Sequence, residues 1–548
     1  CSIITDNQFS FTKTYNYPYL SGSLTQQIGM VAVLTRFSNN LQNNRFVNTT
    51  NNNIIDLGTG YVLLSCRANI GGSGLYDGIT EFSNLFKGID AYNLWALEDQ
   101  IKVHDNDFEQ VHKGVSLNNG VFSGVFNNSF TNIQNGDNTG PGTAYGVYAR
   151  NTYGIQIANN NFACSALNNN GLQNIGVVLD NTGSYQNTLV NNSFSGNFGR
   201  ATTFINTNKN VLADCNLYAL NNNIDWYING FLNDQGSCDE NFPELARRNS
   251  FHQYIPGINY YNINRVFDGT WFNYVGQVGF NPQFVAGGVA VDQNCNATET
   301  VSHCTLNPDN CDPDCLLAQI DEATDNQKLI ELYSYLLRQR IDLNQIEWGK
   351  LDLSRENRID AQKVLIATLE SQDSTEIALQ KLADLPVESP DDAAFKTLYY
   401  QLLTGITPPA GSGKAMPAQE QLLRNTANTN NTANAAMAQS IVATYYHQTF
   451  NKNVPAVALE NDINTTKPIF SIAPNPANNT ITITYLGYDA QLNTNLNIVD
   501  LYGRIVKSVV VSSINTTINI TDLSSGVYFC QLTRSGSNTQ TQKLVILR

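Results

Sequence analysis

The sequence predicts a mainly β protein. A right-handed parallel β-helix is followed by a small α-helical region and a C-terminal antiparallel β-sandwich. Three observations predict this order: an Asn-Asn-x-Phe motif that recurs along the first part of the chain, helical periodicity after Cys315, and strand-like alternation at the C-terminal end. We predict a β-helix with its cap, a Cys-rich connector, helical hairpins, a linker with a short helix, and the sandwich, at residues 1–290, 291–315, 316–406, 407–465 and 466–548.

The recurring motif is an Asn-rich turn just ahead of an aromatic residue, as in "VFNNSF", Val125 to Phe130. From Phe86 onward the copies are 22, 22, 32, 32 and 23 residues apart, so the base period is about 22 with insertions. A fixed period of this size indicates a solenoid. The copies end at Phe9, Phe46, Phe86, Phe108, Phe130, Phe162, Phe194 and, in degenerate form, Leu217.

The runs between the motifs are short and alternate with period two, without a sustained helical period. Three such strands make one turn of a parallel β-helix, whose coils lie about 4.8 Å apart. We therefore expect Phe130 to stack inside the solenoid, while Asn127 and Asn128 turn the chain and hydrogen-bond along the stack. A disordered Asn-rich tract would not keep the Phe register through insertions, and a leucine-rich repeat would show a Leu spacing that is missing here.

The composition excludes some classes of partner. The chain has 46 acidic against 31 basic side chains, a net charge of −15, and no basic stripe, which argues against nucleic acid and anionic membrane surfaces. Apolar runs such as Met30–Leu34 are too short for a transmembrane segment. Cys1 is either a lipid-acceptor position or, as we expect because no tether follows it, the start of a processed or excised chain.

Four of the ten cysteines lie close together, separated by eight, six and three residues. A zinc site would show short paired spacings such as C-x2-C, so we expect disulfides of an exported protein instead. Four cysteines allow three pairings, and the sequence leaves these open. The disulfide candidates are Cys295, Cys304, Cys311 and Cys315.

Helical periodicity begins after Cys315, where Leu329, Leu332 and Leu336 fall on one apolar face. Ser389 is a typical N-cap, followed by Pro390 in the first turn, and Gly405 is a typical helix end. Segments 360–371 and 374–385 predict two more helices. The linker that follows turns helix-prone near residues 439–450.

Residues 466–548 alternate as a small antiparallel β-sandwich and carry four motifs in order: Pro474–Pro476, Asp500–Arg504, Leu523–Tyr528 and Lys543–Arg548. This combination resembles the type A sorting domain of type IX secretion cargo in Bacteroidetes. Cys530 within a strand is a departure in detail. The resemblance implies a sorting signal made of Pro474, Asn475, Pro476, Asp500, Leu501, Tyr502, Gly503, Arg504, Gly526, Val527, Tyr528, Lys543, Leu544 and Val545.

The resemblance also implies a route and partners. The protein would pass through the periplasm and cross the outer membrane by the type IX translocon. It would be recognised by an outer-membrane shuttle protein, and the sorting domain would normally be removed after crossing. The expected location is the cell surface or the extracellular space, and this route permits disulfides.

Parallel β-helices often resemble pectate lyases and polygalacturonases, which need paired carboxylates, or bound calcium with a Lys or Arg base. No such arrangement is recognisable in residues 1–230, where Glu occurs only at 81, 98 and 109. We predict no metal or cofactor. One polar cluster stands out, which could hold a sugar or a metal or be a solvated charged coil: Lys102, His104, Asp105, Asp107, Glu109 and His112.

Three functions stay open for the β-helix. We favour adhesion-like binding of a glycan or another surface. The alternatives are a polysaccharide lyase or glycoside hydrolase, and a structural or assembly component of the cell surface. Whether the chain is an enzyme is uncertain, and a binding protein is the preferred hypothesis. Trp226, Tyr227 and Trp271 would either stack on sugars or form the core of the cap.

Overall fold

A computed structural model shows two compact units, Cys1–Val454 and Pro455–Arg548. It describes residues 8–11, 28–37, 41–42, 44–48, 58–72, 80–133, 143–164, 174–219, 222–236, 247–251, 261–266, 272–276, 280, 282–283, 285–292, 311–406, 416–428, 433–446, 448, 450, 470–485, 494–500, 504–513, 515–534 and 540–547.

The described part of the first unit begins with a run of short strands. They are β1 (Gln8–Phe11), β2 (Ile28–Val33), β3 (Arg45–Asn48), β4 (Thr59–Leu64), β5 (Ala68–Ile70), β6 (Thr80–Ser83), β7 (Lys87–Tyr92), β8 (Ile101–His104), β9 (Asn106–Glu109), β10 (Lys113–Asn118), β11 (Gly124–Phe126), β12 (Ser129–Thr131), β13 (Ala144–Arg150), β14 (Gln156–Ala158), β15 (Asn161–Cys164), β16 (Asn174–Asp180), β17 (Asn187–Val190), β18 (Ser193–Gly196), β19 (Arg200–Asn208), β20 (Val211–Asp214), β21 (Leu217–Tyr218), β22 (Ile224–Leu232), β23 (Tyr261–Arg265), β24 (Phe272–Val275), β25 (Val285–Ala286) and β26 (Val289–Asp292).

Among the described residues these strands form three long parallel sheets. The eight-stranded sheet has the order β1-β3-β6-β9-β12-β15-β18-β21. The ten-stranded sheet has the order β2-β4-β7-β10-β13-β16-β19-β22-β23-β25, and the six-stranded sheet β20-β17-β14-β11-β8-β5. Successive coils contribute strands to the three sheets in turn, so these strands form a parallel β-solenoid of about six turns. The predicted parallel β-helix is confirmed.

An aromatic stack fills the interior beneath the eight-stranded sheet. Phe130 is fully buried, and its ring centroid lies 4.6 Å from that of Phe108 and 4.8 Å from that of Phe162. The predicted stacking of Phe130 is therefore confirmed. The described rings of this stack are those of Phe46, Phe82, Phe108, Phe130, Phe162, Phe194, Tyr218 and Phe251.

Two residues predicted to belong to this stack, Phe86 and Leu217, do not belong to it. Phe82 stacks on Phe46 and Phe108, whereas the predicted Phe86 lies outside the stack and packs on His112. The coil that contains Phe82 carries Thr80 at the position where other coils carry Asn, so its copy of the motif could not be recognised in the sequence. The second error is Leu217, which is 49% exposed because the stack position is the next residue, Tyr218.

A ladder of asparagine amides runs beside the stack. Asn128 Nδ2 donates to Asn160 Oδ1 at 3.0 Å, and Asn128 Oδ1 accepts from the Asn106 side chain at 2.9 Å. The residue before it, Asn127, has φ 58°, a left-handed conformation that Asn tolerates. The two predicted roles are therefore divided between the residues: Asn127 turns the chain, and Asn128 hydrogen-bonds along the stack. The ladder consists of Asn106, Asn128, Asn160, Asn192, Asn216 and Asn249.

The described residues of the first unit also contain eight α-helices: α1 (Pro313–Glu322), α2 (Asn326–Asp342), α3 (Ile346–Arg355), α4 (Ile359–Ser371), α5 (Thr375–Asp384), α6 (Pro390–Thr404), α7 (Ala418–Ala427) and α8 (Ala433–Tyr446). Ser389 caps α6 in a capping box with Asp392, and Gly405 ends the helix, as predicted. Leu332 and Leu336 are buried on one face of α2.

The helices pack on the outside of the solenoid, which the sequence did not predict. Val62, Leu64 and Tyr92, on the outer face of the ten-stranded sheet, share one apolar core with helix residues such as Leu337 and Ile441. This contact makes the helical region part of the same compact unit as the solenoid.

Polar contacts fasten the helices to the solenoid as well. Arg338 of α2 donates to the Gly154 carbonyl at 2.7 Å. Thr368 of α4 accepts from the backbone N–H of Leu97, in a short 3₁₀ helix Leu97–Asp99, at 3.1 Å. Asn118 of β10 donates to Ser440 of α8 at 3.0 Å.

The second unit is an antiparallel β domain. Its described strands are β27 (Phe470–Ala473), β28 (Thr480–Tyr485), β29 (Thr494–Val499), β30 (Ile505–Val510), β31 (Asn515–Asn519), β32 (Gly526–Arg534) and β33 (Gln540–Ile546). They form a three-stranded sheet, β27-β28-β31, and a four-stranded sheet, β30-β29-β32-β33. One apolar core, which includes Ile483, Leu496 and Cys530, is shared by residues of both sheets.

Candidate functional sites in the solenoid and the C-terminal domain

The first and last motifs of the C-terminal domain touch each other. Asn475, in the Pro474–Pro476 turn after β27, accepts a hydrogen bond from the backbone N–H of Val545 through its Oδ1 at 2.8 Å. Ala477 donates from its N–H to the Val545 carbonyl at 2.8 Å. The side-chain placement of Lys543 lies outside the described residues.

The second motif closes the β29–β30 hairpin. Arg504 Nε donates to Asp500 Oδ2 at 2.8 Å, and the backbone N–H of Arg504 donates to Asp500 Oδ1 at 3.0 Å. The Asp500 side chain is mostly buried, while that of Arg504 is 75% exposed. Leu501, Tyr502 and Gly503 lie outside the described residues.

The strand register brings all four motifs to one end of the four-stranded sheet. Val499, just before Asp500, pairs with Phe529, and Gly526 pairs with Ile546. In the third and fourth motifs Val527 pairs with Val545 and Tyr528 with Leu544. The turn before Ala477 reaches the same end through its bridge to Ile546. We call this end of the domain the motif end.

The polar cluster predicted in the solenoid is divided between faces. Lys102 and His104 lie on the outer face of the six-stranded sheet, opposite to the inward Ile101 and Val103. Asp105, with φ 53°, forms the corner after β8. The His104 ring stacks on Phe126 with 5.3 Å between centroids, and its two nitrogens lie 2.8 Å from Asp105 Oδ2 and 2.6 Å from Asn69 Oδ1.

The remaining cluster residues face elsewhere. Asp107 and Glu109 are exposed on the outer face of the eight-stranded sheet, where burial and then the charge of Glu81 raise the pKa of Asp107. His112 is buried against Phe86. The six residues therefore do not converge on one site.

A groove lies where α2 meets the outer face of the six-stranded sheet. Its volume is about 110 Å³, and the half-buried ring of Phe126 lies in its wall. Lys102 Nζ donates to Asp342 Oδ1 at 2.6 Å across the groove. The lining residues are Gln100, Lys102, Phe122, Gly124, Phe126, Gln156, Arg338 and Asp342.

Arg338 is the buried charge of this groove. Besides the Gly154 carbonyl, its guanidinium contacts Gln156, whose amide oxygen accepts from it in the orientation that satisfies both groups. Burial lowers the pKa of Arg338 to about 10, so the side chain is still cationic at neutral pH. Arg338 therefore places one positive charge in the wall.

The sequence predicted Lys102 but missed its partners in the groove. Phe126 had a signal, since it alternates with the inward Val125 in the repeat motif. Asp342 and Arg338 had none, because they come from a helix some 240 residues later in the sequence, and only tertiary packing places them here.

The aromatic and cysteine predictions have mixed outcomes. Trp226 belongs to the solenoid core, and Tyr227 is buried with Arg200 over its ring, so neither is available on an outer face for sugar stacking. Cys311 and Cys315 form a disulfide. Trp271, Cys295 and Cys304 lie outside the described residues.

In the described part of the chain, no group of three or more His, Cys, Asp and Glu side chains is placed to hold a metal ion. None of the described helices is long and apolar enough to span a membrane. Residues 471–547 match the family model described as secretion system C-terminal sorting domain. No curated protein matches the chain. This sorting domain at the C-terminal end indicates that the chain is cargo of the type IX secretion system, and it implies export to the cell surface or the extracellular space.

Proposed function

We propose that this exported protein is a binding protein whose solenoid recognises a saccharide in the groove beside α2. The observation that carries the proposal is the combination of the half-buried Phe126 ring with Lys102 and Asp342 in one groove. Small-molecule sites combine apolar or aromatic walls with a few polar groups that fix orientation. An aromatic face for a sugar ring and charged groups for its hydroxyls satisfy that description.

The size of the groove limits the ligand. Sites that enclose a drug-sized molecule measure roughly 300–1,000 Å³, whereas this groove measures about 110 Å³. We therefore infer that it holds one sugar ring, such as the end or a branch of a longer glycan. Adhesion through many copies of the protein on a surface would suit such a small site, because multivalency raises overall affinity.

A glycan array tests the proposal, with the purified passenger, that is, the chain without the sorting domain at residues 466–548. We expect Phe126→Ala to weaken binding about tenfold, and Lys102→Gln to weaken it less. Phe231→Ala is the matched control, since it removes a half-exposed ring outside the groove. Thermal unfolding of each variant shows whether the fold is kept. A wild-type passenger that binds no glycan on the array would contradict the proposal.

The same preparation separates binding from catalysis. Incubation with acidic and neutral polysaccharides should give no new reducing ends and no unsaturated products. Either product would replace the binding proposal with a hydrolase or a lyase.

For export, we propose that the outer-membrane shuttle protein reads the motif end of the C-terminal domain. Support comes from the convergence of all four motifs there and from the exposed Arg504 guanidinium, which Asp500 holds in place. Arg504→Ala should lower surface display of the passenger. Lys507→Ala, which also removes an ion pair of β30 but changes no motif residue, should not. Equal display by both variants would contradict recognition through Arg504.

A further inference from the structure

Side chains of the ten-stranded sheet bind the main chain just after α8. The backbone N–H of Phe450 donates to Tyr92 Oη at 2.8 Å. The Phe450 carbonyl oxygen lies 3.0 Å from Tyr92 Oη and 3.0 Å from Lys87 Nζ, and both can donate to it. Asp90 Oδ2 lies 2.7 Å from Lys87 Nζ and 3.3 Å from Tyr92 Oη, so it accepts from the ammonium group and can also accept from the phenol.

These three side chains are almost completely buried on the outer face of the solenoid. Lys87, Asp90 and Tyr92 are 2%, 1% and 0% exposed. Buried ion pairs are often replaceable by well-packed apolar residues without loss of stability. Fastening the chain at Phe450 therefore does not by itself require a buried lysine and aspartate.

The phenol of Tyr92 is a lasting hydrogen-bond donor. Burial, and then the charge of Asp90, raise its pKa well above the usual range, so Tyr92 stays protonated at neutral pH. The phenol and the ammonium group are two donors that both reach the Phe450 carbonyl oxygen, with the Asp90 carboxylate beside them as a second acceptor.

The side chains at the position of Lys87 form a row along the solenoid, because successive strands pair in register. Lys87 of β7 pairs with Lys113 of β10, which pairs with Tyr145 of β13. Lys113 Nζ lies 5.2 Å from the ring centroid of Phe86 and 5.7 Å from that of Tyr145. Because neighbouring strands are about 4.8 Å apart, successive coils present two cations and then a phenol at a regular spacing.

We propose that Lys87, Tyr92 and Lys113 form a binding site for a carboxylate-bearing saccharide, and that the main chain at Phe450 occupies this site as an intramolecular strap. A carboxylate in place of the peptide carbonyl would turn the neutral hydrogen bond from Tyr92 into a charge-assisted one, which is roughly twice as strong, and would give the Lys87 ammonium group an anionic partner. A regular row of cations suits an extended acidic chain, whose charges also repeat. The site lies on a different sheet from the groove beside α2 and does not depend on it.

The strap should compete with the ligand. Its tether gives the Phe450 carbonyl a high effective concentration at the site, so a free ligand must displace it and will bind weakly. A change that weakens the strap and leaves Lys87, Tyr92 and Lys113 intact should therefore strengthen ligand binding.

Titration calorimetry on the full-length chain tests this, with a galacturonate trimer as probe and its methyl ester as the uncharged match. Phe450→Pro removes the N–H that donates to Tyr92, and Phe450→Gly removes the buried ring but keeps the N–H. We expect either variant to bind the trimer about tenfold more tightly than wild type and to ignore the ester. Adding Lys113→Gln should reverse the gain, whereas adding Lys102→Gln in the groove should not.

Two outcomes would overturn the proposal. One is a Phe450 variant that unfolds at the wild-type temperature, or a few degrees below it, and still binds the trimer no better than wild type. The other is a gain in binding that Lys113→Gln leaves intact. Either result would show that the contact at Phe450 only stabilises the packing of the chain against the solenoid. Loss of groove binding in the glycan array would leave this test unaffected.

Discussion

The ring of Phe130 lies directly against the backbone of Gly114: a Cβ on that glycine would come within 2.8 Å of Cε1 of the ring. The neighbouring coils repeat the relationship, with Gly88 against Phe108 and Gly146 against Phe162. A row of glycines on the ten-stranded sheet thus gives the space that the aromatic stack fills. Both rows are needed for the interior of the solenoid to close.

Removal of one ring should be costly. Phe130→Ala leaves a cavity between Phe108 and Phe162 and should lower the free energy of unfolding by about 3–5 kcal/mol. A denaturant titration of the passenger measures this, with the half-buried Ser129→Ala as the control. A loss below about 1 kcal/mol would contradict the stacked interior.

Filling the space from the opposite side should also destabilise the solenoid. Gly114→Ala places a methyl group against the Phe130 ring and the Gly146 carbonyl, and overpacking of this kind costs about 1–3 kcal/mol. Gly120→Ala is the matched control, because the atoms nearest to its new methyl group would be side-chain atoms of Ser123 and Thr152, at 3.1 Å or more. Equal effects in a chemical unfolding experiment would show that the contact at Gly114 is unimportant.

The two adjacent asparagines of the repeat should respond differently. Asn128→Leu removes the acceptor of the Asn106 backbone N–H, which is buried, and breaks the ladder to Asn160; we expect a loss of about 2–4 kcal/mol. Asn127→Gly should change stability little, since glycine readily adopts its φ of 58°. Thermal unfolding of both variants measures the two losses of stability. Similar losses in the two variants would contradict a stabilising role of the asparagine ladder.

Local sequence pattern predicted the solenoid because the repeated contacts are those between equal positions of successive coils. Phe130 and Asn128 could be placed from period and residue type alone. Phe82 was missed since its coil lacks the Asn that marks the turn elsewhere. The docking of the helices was missed for another reason: contacts such as Lys102 with Asp342 join segments that share no local pattern.

The candidate sites show the same difference between features that follow from local sequence and features that follow from tertiary packing. The C-terminal motifs could be recognised in the sequence, although their meeting at one end of a sheet follows only from strand register, as in the pairing of Val527 with Val545. The polar cluster was adjacent in sequence yet crosses a corner at Asp105, so His104 and Asp107 lie on different faces.

The junction between the solenoid and α4 should make stability pH-dependent. Burial, and then the charges of Asp99, Asp373 and Glu98, raise the pKa of Glu370 from its ordinary 4.5 to about 7. The folded state therefore holds this proton more tightly than the unfolded state. Ionisation of Glu370 disfavours folding above pH 7, and the penalty is relieved as the pH falls from 7 towards 4.5.

Glu370→Gln isolates this effect from other titrating groups. At pH 8 the variant should be more stable than wild type, by at most about 3 kcal/mol, and the difference should shrink as the pH is lowered to 5. Urea unfolding at a series of pH values measures it, with the exposed Glu376→Gln as control. A difference that does not change with pH would show that Glu370 titrates normally.

The most direct test of the export claim is the location of the passenger after removal of the sorting domain. With residues 466–548 deleted, a folded, protease-resistant passenger should accumulate in the periplasm and be absent from the surface and the medium. The full-length chain in the same cells should be exported. Normal surface display of the truncated chain would contradict the account.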